Sequence, residues 1–449
     1  MVVLASHVCN VFVLGLQQGI APLFVALQQD FNASSATTSW LLSLMFLFQF
    51  GCGPIANLCT KRFGHRATVT AGTLISSAGV FISTFAPTIE VVNITFGVLV
   101  GLGYALIYSP SIGIVAMYIK RRYVLANSLI MVGSGIGGML LPPLFQALIN
   151  AYGWRPTLFV YAGMNLQMCI CALLFKTPAT AEDASKSTAG SSRDYEEDTI
   201  DGEGKSKIRA LFERLDLVLF LRYKQFTVYS VAVMLGLGFG LFGAVPHGFA
   251  RAEELDLAPP QQLSLLVSVL GLTGIFGRLA PNLMRRGNSI YMFALSIFLG
   301  GVFNIVSAFT ETYASYTVYF ALLGFAIGVI SSLQIQVIRD IVGPQKVTAA
   351  IGLVTPTIAI GAFFGPAIAG YIYDSTGDYD YSFYFYGACS VFAGLWMVAL
   401  DPFVRPSPAQ RRQSLLDLEN EKKPLLGGGK GRTGPKYNET AKGNEETLA

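Results

Sequence analysis

The sequence predicts an all-α membrane protein of twelve transmembrane helices, and three observations predict it. Of 449 residues, 53% are hydrophobic and 13% are charged, against about 25% charged in soluble domains. Apolar runs of the ~17–25 residues that cross a bilayer as a helix recur along nearly the whole chain, and the charges gather between them. A backbone in lipid must satisfy its own hydrogen bonds, and these runs are too long and too uniformly apolar for barrel strands.

Taken in order, the predicted spans are 2–27, 37–60, 67–87, 89–118, 124–150 and 156–175, then 225–250, 261–282, 289–309, 313–338, 347–373 and 382–401. The first lacks the basic start and small-residue cleavage site of a signal peptide and is expected to persist in the mature protein. It carries Asn10, Gln17 and Gln18 beside Gly15 and Gly19. A short loop with the sequon "NAS" at Asn32 leads to the second span, and "KRFGHR" separates the second from the third. The fourth holds Tyr104, Tyr108 and Ser109, and the basic knot Lys120, Arg121 and Arg122 closes it. The fifth and eleventh are rich in glycine and proline, which suits close helix approach and local bending.

Between the sixth and seventh spans, residues 176–224 are polar and poor in aromatics, a flexible linker by composition. Its end, "IRALFERLDLVLFLRYKQF", is amphipathic and suits the membrane surface. His247 lies near the outer end of the seventh span, Arg278 in the last turn of the eighth, and Gln334, Gln336, Arg339 and Asp340 in or just beyond the tenth. Residues 402–449 form a polar tail, expected to be disordered.

Cations in short connections set orientation. One set of loops holds Lys61, Arg62, Arg66, Lys120, Arg121, Arg122, Arg285, Arg286, Arg339 and Lys346, whereas the alternate set holds only Arg155 and Arg251. Both termini and the linker are therefore expected in the cytoplasm, with the basic knot anchoring helix ends there. The net charge of +4 is spread over loops and tail and leaves no nucleic-acid footprint. The six cysteines all fall in predicted spans, as small buried hydrophobes rather than a disulfide or metal framework. No nucleophile–base constellation, metal spacing or phosphate loop points to an enzyme or a cofactor.

The two sides of the linker match at a constant offset. Gly53, Ala56, Lys61 and Arg62 correspond to Gly277, Ala280, Arg285 and Arg286; Ala126, Leu129, Gly137, Pro142 and Gly153 correspond to Ala350, Leu353, Gly361, Pro366 and Gly377. Residues 1–175 and 225–401 thus read as two six-helix pseudo-repeats. That pattern resembles the major facilitator fold, whose solute site lies at the midplane between halves.

More specifically, Tyr118, Ile119, Arg121, Arg122, Leu125, Ala126, Ser128 and Gly133 are similar to the fourth-to-fifth helix motif of the monocarboxylate transporter family. "VIRDIVGPQK", "GPAIAGYIYDSTGDYDYSFYFYG" and "NASSATTSWLLSL" resemble it in order and spacing over residues 2 to 401. Ile119 and Ser128 replace that motif's Phe and Gly, and the acidic Gly-Gly-Trp-Gly-Trp box that opens the family's first helix does not precede "MVVLASHVCN". In proton-linked members, the resemblance implies, a Lys of the first helix and an Asp and Arg of the eighth bind the carboxylate and carry the proton. Gln18 registers on the Lys, and Val269 and Thr273 on the Asp and Arg.

The expected substrate contacts are thus neutral and polar: Gln17, Gln18, Tyr108, Thr273 and Gln334, with His247 as a titratable candidate. Arg121, Arg122, Arg278 and Asp340 are expected at the cytoplasmic gate. The resulting expectation is a facilitative plasma-membrane transporter, alternating between two open states. Its partners would be the bilayer, a small organic acid or a neutral or zwitterionic relative and, as the resemblance implies, a single-span accessory glycoprotein. The alternatives are a proton-linked monocarboxylate symporter and a non-transporting sensor or scaffold with the same fold.

Overall fold

The structure is a computed structural model that describes residues 1–119, 123–175, 220, 223–283, 288–343 and 347–404. Arg121 and Arg122, nearly all of the linker and the tail beyond 404 lie outside the described residues. Among the described residues, every regular element is helical.

Ten helices are long and apolar enough to cross a bilayer, and Ser35–Gly51 with Gly53–Ser83, bent by 46°, adds an eleventh. At about 1.5 Å per residue that bent pair would stretch for ~70 Å, more than twice the ~30 Å hydrocarbon core. Gly64 divides it: at φ 81°, ψ 165° it occupies a region essentially reserved for glycine, so Gly53–Ser83 completes the second pass and supplies the third. The count is then the predicted twelve. The first pass runs through Val2–Gly19 and Ala21–Asp30, the fourth ends with Gly101–Tyr118, the fifth is Tyr123–Tyr152 and the sixth starts with Trp154–Leu166. The seventh is Lys224–Val233, Met234–Phe239 and Ala244–Glu254. The remaining five are Pro260–Leu283, Ser289–Ser307, Tyr313–Val342, Val347–Thr376 and Tyr379–Val404.

The sequence repeat reappears in packing. The first span lies along the fifth and the seventh along the eleventh. A Cβ on Gly15 would stand 2.6 Å from the Gly137 Cα, and one on Gly238 would stand 2.6 Å from the Gly361 Cα; both backbones meet where any side chain would part them. Gly153 and Gly377, one repeat apart, take φ of +83° and +71° at corresponding helix ends. Two seams join the halves, the second span on the eleventh and the fifth on the eighth, and the repeat exchanges one with the other.

Polar groups inside each half are largely satisfied there. In the first, Tyr104 and Tyr161 hydroxyls pair at 2.7 Å, and Asn165 donates to Ser76 Oγ at 2.8 Å. In the second, Asn304 donates to the Gly240 carbonyl and accepts from the Tyr319 hydroxyl.

Candidate functional site

Paired helix breaks locate the site. The first span turns at Ile20, ahead of Pro22, and the seventh is interrupted over 240–243, ahead of Pro246. Interruptions at matching places in two repeats mark the solute site of such carriers, because freed backbone is tolerated where it lines a cavity. Gln17 and Gln18 precede the first break and Phe242 falls in the second; all three line one cavity of about 360 Å³.

The second span adds Gln49, Phe50 and Asn57, the fourth Tyr108 and Ser109, the tenth Ser331 and Gln334, and the eleventh Thr355. Gln17 Nε2 donates to Gln49 Oε1 at 2.7 Å, leaving buried Gln49 Nε2 without a partner. Gln18 Oε1 is likewise buried and unpaired. Ser109 Oγ donates to Asn57 Oδ1 at 2.6 Å. Aromatic rings close one end: Phe242 lies 5.5 Å from Phe50 and 4.8 Å from Phe46 between centroids, and Phe50 meets Tyr108 edge-on at 6.1 Å.

Arg278 is the charge in this wall. It is 1% exposed, lines the cavity, and its Nε and Nη1 have no hydrogen-bond partner. Another buried arginine of the same half, Arg251, shows what a structural role requires. Its guanidinium donates to the Ser307 and Ala308 carbonyls at 2.8 and 3.0 Å and to the Tyr316 hydroxyl at 2.8 Å, and it lies 2.6 Å from Asp380 Oδ1. Arg278 has none of this. An unpaired buried ion costs several kcal/mol even after relaxation, and among the described residues no Asp or Glu lines the cavity.

This corrects the expectation that Arg278 belongs to the cytoplasmic gate. Helical side chains run back toward the helix N-terminus, so the charge lies deeper than its Cα. Nη1 stands 2.5 Å from where a Cβ on Gly274 would be, a full turn back, and 3.3 Å from one on Gly135; the two glycines make its room. Thr273 is corrected in the opposite sense. Its hydroxyl donates back to the Val269 and Leu270 carbonyls at 3.0 and 3.2 Å, it crowds Gly324 of the tenth span, and it is absent from the cavity wall.

His247 also lies outside the cavity wall. It is fully buried, with Nε2 2.9 Å from Ser39 Oγ and Nδ1 2.8 Å from the Tyr386 hydroxyl. It pins the second span to the seventh and twelfth at the end of the bundle where Asp30, Glu253, Asp374 and Asp378 gather. There Asp374 accepts from Ser35 N and Ala36 N, both at 2.9 Å, and Gln29 donates to Glu253 at 2.9 Å. This acidic end is closed. Toward the opposite, basic end the cavity continues to Ile119, Arg339 and Val347, at helix termini. Asp340, beside Arg339, accepts from Ser289 Oγ.

Of the predicted contacts, Gln17, Gln18, Tyr108 and Gln334 converge on the cavity. Gln49, Asn57 and Phe242 were missed. Phe242 had a signal, since it is the repeat partner of Gln18.

The sequence profile of the Major Facilitator Superfamily matches residues 6–358 and 317–436. Monocarboxylate transporter 4 of Rattus norvegicus is 30% identical over 377 residues, covering 83% of this chain and 76% of that protein. Monocarboxylate transporter 1 of Bos taurus is 28% identical over 421 residues, covering 88% of this chain and 83% of the relative. Monocarboxylate transporter 2 of Meriones unguiculatus is 28% identical over 402 residues, covering 88% and 82%.

Proposed function

Because the chain belongs to the Major Facilitator Superfamily and, within it, to the monocarboxylate transporters, we propose that it carries small organic anions by alternating access, with the solute carboxylate seated on Arg278. One observation carries this: a buried guanidinium with unpartnered nitrogens, in the wall of a cavity to which no described Asp or Glu contributes. Intramembrane charge that faces a cavity marks a substrate path, and a planar carboxylate matches the donor fork of arginine. A monocarboxylate, the cargo in the relatives' names, has the charge and size the cavity accepts. A zwitterion would find no acidic group there for its cation.

The same inventory favours facilitated, downhill transport with little proton coupling. Symport needs a group in the path that takes and releases a proton, and His247, with both ring nitrogens engaged, stands beyond the aromatic closure. Basic loops face the cytoplasm, so the cavity is inward-facing, both termini are cytoplasmic, and the membrane is the plasma membrane. A single-span glycoprotein for surface delivery belongs to the same proposal.

The test is uptake of labelled monocarboxylates by cells with verified surface protein. Arg278→Gln should abolish saturable uptake, and Arg278→Lys, which keeps charge but not the fork, should restore part of it. Carboxylate uptake unchanged in Arg278→Gln would reject the seat. Absence of both uptake and exchange in the parent would favour the sensor.

A further inference from the structure

Gln18 carries the one buried side-chain acceptor of the cavity wall left without a partner among the described residues. Its Oε1 lies 2.1 Å from where a Cβ on Gly138 would stand, as Arg278 Nη1 lies 3.3 Å from one on Gly135. Gly135 and Gly138, three residues apart on the fifth span, are neighbours on one face, with Cβ positions ~5–6 Å apart. A cationic donor and a neutral acceptor are therefore about one helical turn apart, over a strip bare of side chains. Gln18 is half-buried, so its terminal amide can turn on the cavity side.

We infer that Gln18 selects carboxylates bearing a neutral hydrogen-bond donor, a hydroxyl before all, on the carbon next to the carboxylate or one beyond. This rests on Arg278 being the carboxylate seat. With the carboxylate there, a fragment of two or three atoms flanked by hydrogen bonds of about 2.8–2.9 Å bends across the gap and brings its hydroxyl to Oε1. An oxo group in the same place can only accept, and it leaves Oε1 desolvated and unpaired. An ammonium donates, but stands beside the Arg278 cation in a wall with a second arginine, Arg339, and no acidic side chain. An unsubstituted chain offers nothing. Gln18 thus acts on specificity rather than on proton transfer, and a donor-only side chain at this position could not make the same distinction.

The experiment uses four acids of one skeleton, butyrate, 2-hydroxybutyrate, 2-oxobutyrate and 2-aminobutyrate, as competitors of labelled 2-hydroxybutyrate uptake in cells expressing the full chain. In the wild type, 2-hydroxybutyrate should compete about tenfold better than 2-oxobutyrate, the worth of one net hydrogen bond, and 2-aminobutyrate should compete least. In Gln18→Met the hydroxy-to-oxo ratio should fall toward one. Equal competition by the hydroxy and oxo acids in the wild type overturns the inference, whatever the variant's expression, and so does an unchanged ratio in Gln18→Met. Carriage of all the anionic acids alike leaves the Arg278 seat standing and removes only the selectivity. Failure of the wild type to carry or be inhibited by any of them removes both.

Discussion

Asp374→Asn should loosen the closed end of the bundle. Asp374 belongs to the eleventh span, and its two oxygens accept from Ser35 N and Ala36 N, each at 2.9 Å. These are the first amides of the second span's helix Ser35–Gly51, so a carboxylate of one half caps a helix of the other. A cap bond of this kind is worth ~1 kcal/mol, and the favourable placement of a negative charge at a helix start adds ~0.3–1 kcal/mol at an exposed site. Asn keeps one acceptor, loses the charge, and turns an NH₂ toward the second amide. The closed arrangement should lose ~1.5–2 kcal/mol, and at ~1.4 kcal/mol per decade the outward-open population should rise ~10–30-fold. The assay is the rate at which an impermeant maleimide, applied to intact cells, labels Ser331→Cys in the cavity, in a background without reactive cysteines. Asp378→Asn is the control, because Asp378 Oδ1 accepts from Asp380 N within its own segment at 2.8 Å. If Asp374→Asn labels no faster than Asp378→Asn, the cap does not hold this end shut.

Two further outcomes are expected. Gly137→Ala would place a Cβ 2.2 Å from the Val11 carbonyl oxygen and 2.6 Å from the Gly15 Cα, both backbone, so the first span must move away. A loss of ~1–3 kcal/mol should lower the thermal midpoint in detergent, and an unchanged midpoint would contradict the close approach. In vesicles clamped at equal solute inside and out, an imposed inward proton gradient should drive little accumulation; concentrative uptake that survives His247→Ala would overturn downhill transport.

Much of the fold is legible in the sequence because the bilayer leaves few solutions, and because the repeat is written in residues whose backbone role is specific. Gly137 and Gly361 match in sequence since both must let another helix backbone approach, and Gly153 and Gly377 since both reverse the chain at positive φ. The cavity is less legible. Gln17 and Gln18 could be found as adjacent amides beside a glycine-flanked break, but Gln49 and Asn57 read as ordinary polar residues until the second span is seen against the first. Arg278 was misplaced for a definite reason. Counting turns from the helix end locates its Cα, whereas the charge is carried back by a long side chain into space opened by Gly274 and Gly135. His247, by contrast, looks available in sequence, and only the positions of Ser39 and Tyr386 reveal that both its nitrogens are engaged.

The place of Arg278 also bears on how a solute could drive the carrier. Both seams close toward the acidic end: Gly370 packs against Ala36 and Ser39, and Gly271 against Gly138 and Met139. Gln261 reaches the Pro143 carbonyl at 3.3 Å, and the cavity opens beyond these contacts. Polar contacts such as those of Asp374, His247 and Gln29 contribute on the order of 1 kcal/mol each, so opening the acidic end is within reach of a modest bias. A ligand biases two states only by binding one of them better. The Arg278 guanidinium belongs to the eighth span but lies over Gly135 of the fifth, on the seam between halves, where an anion would touch both sides of the moving interface. Gln18 adds the first span to the same contact. A solute that satisfies both groups therefore binds across three helices whose relative positions must change during transport, and its affinity depends on their arrangement.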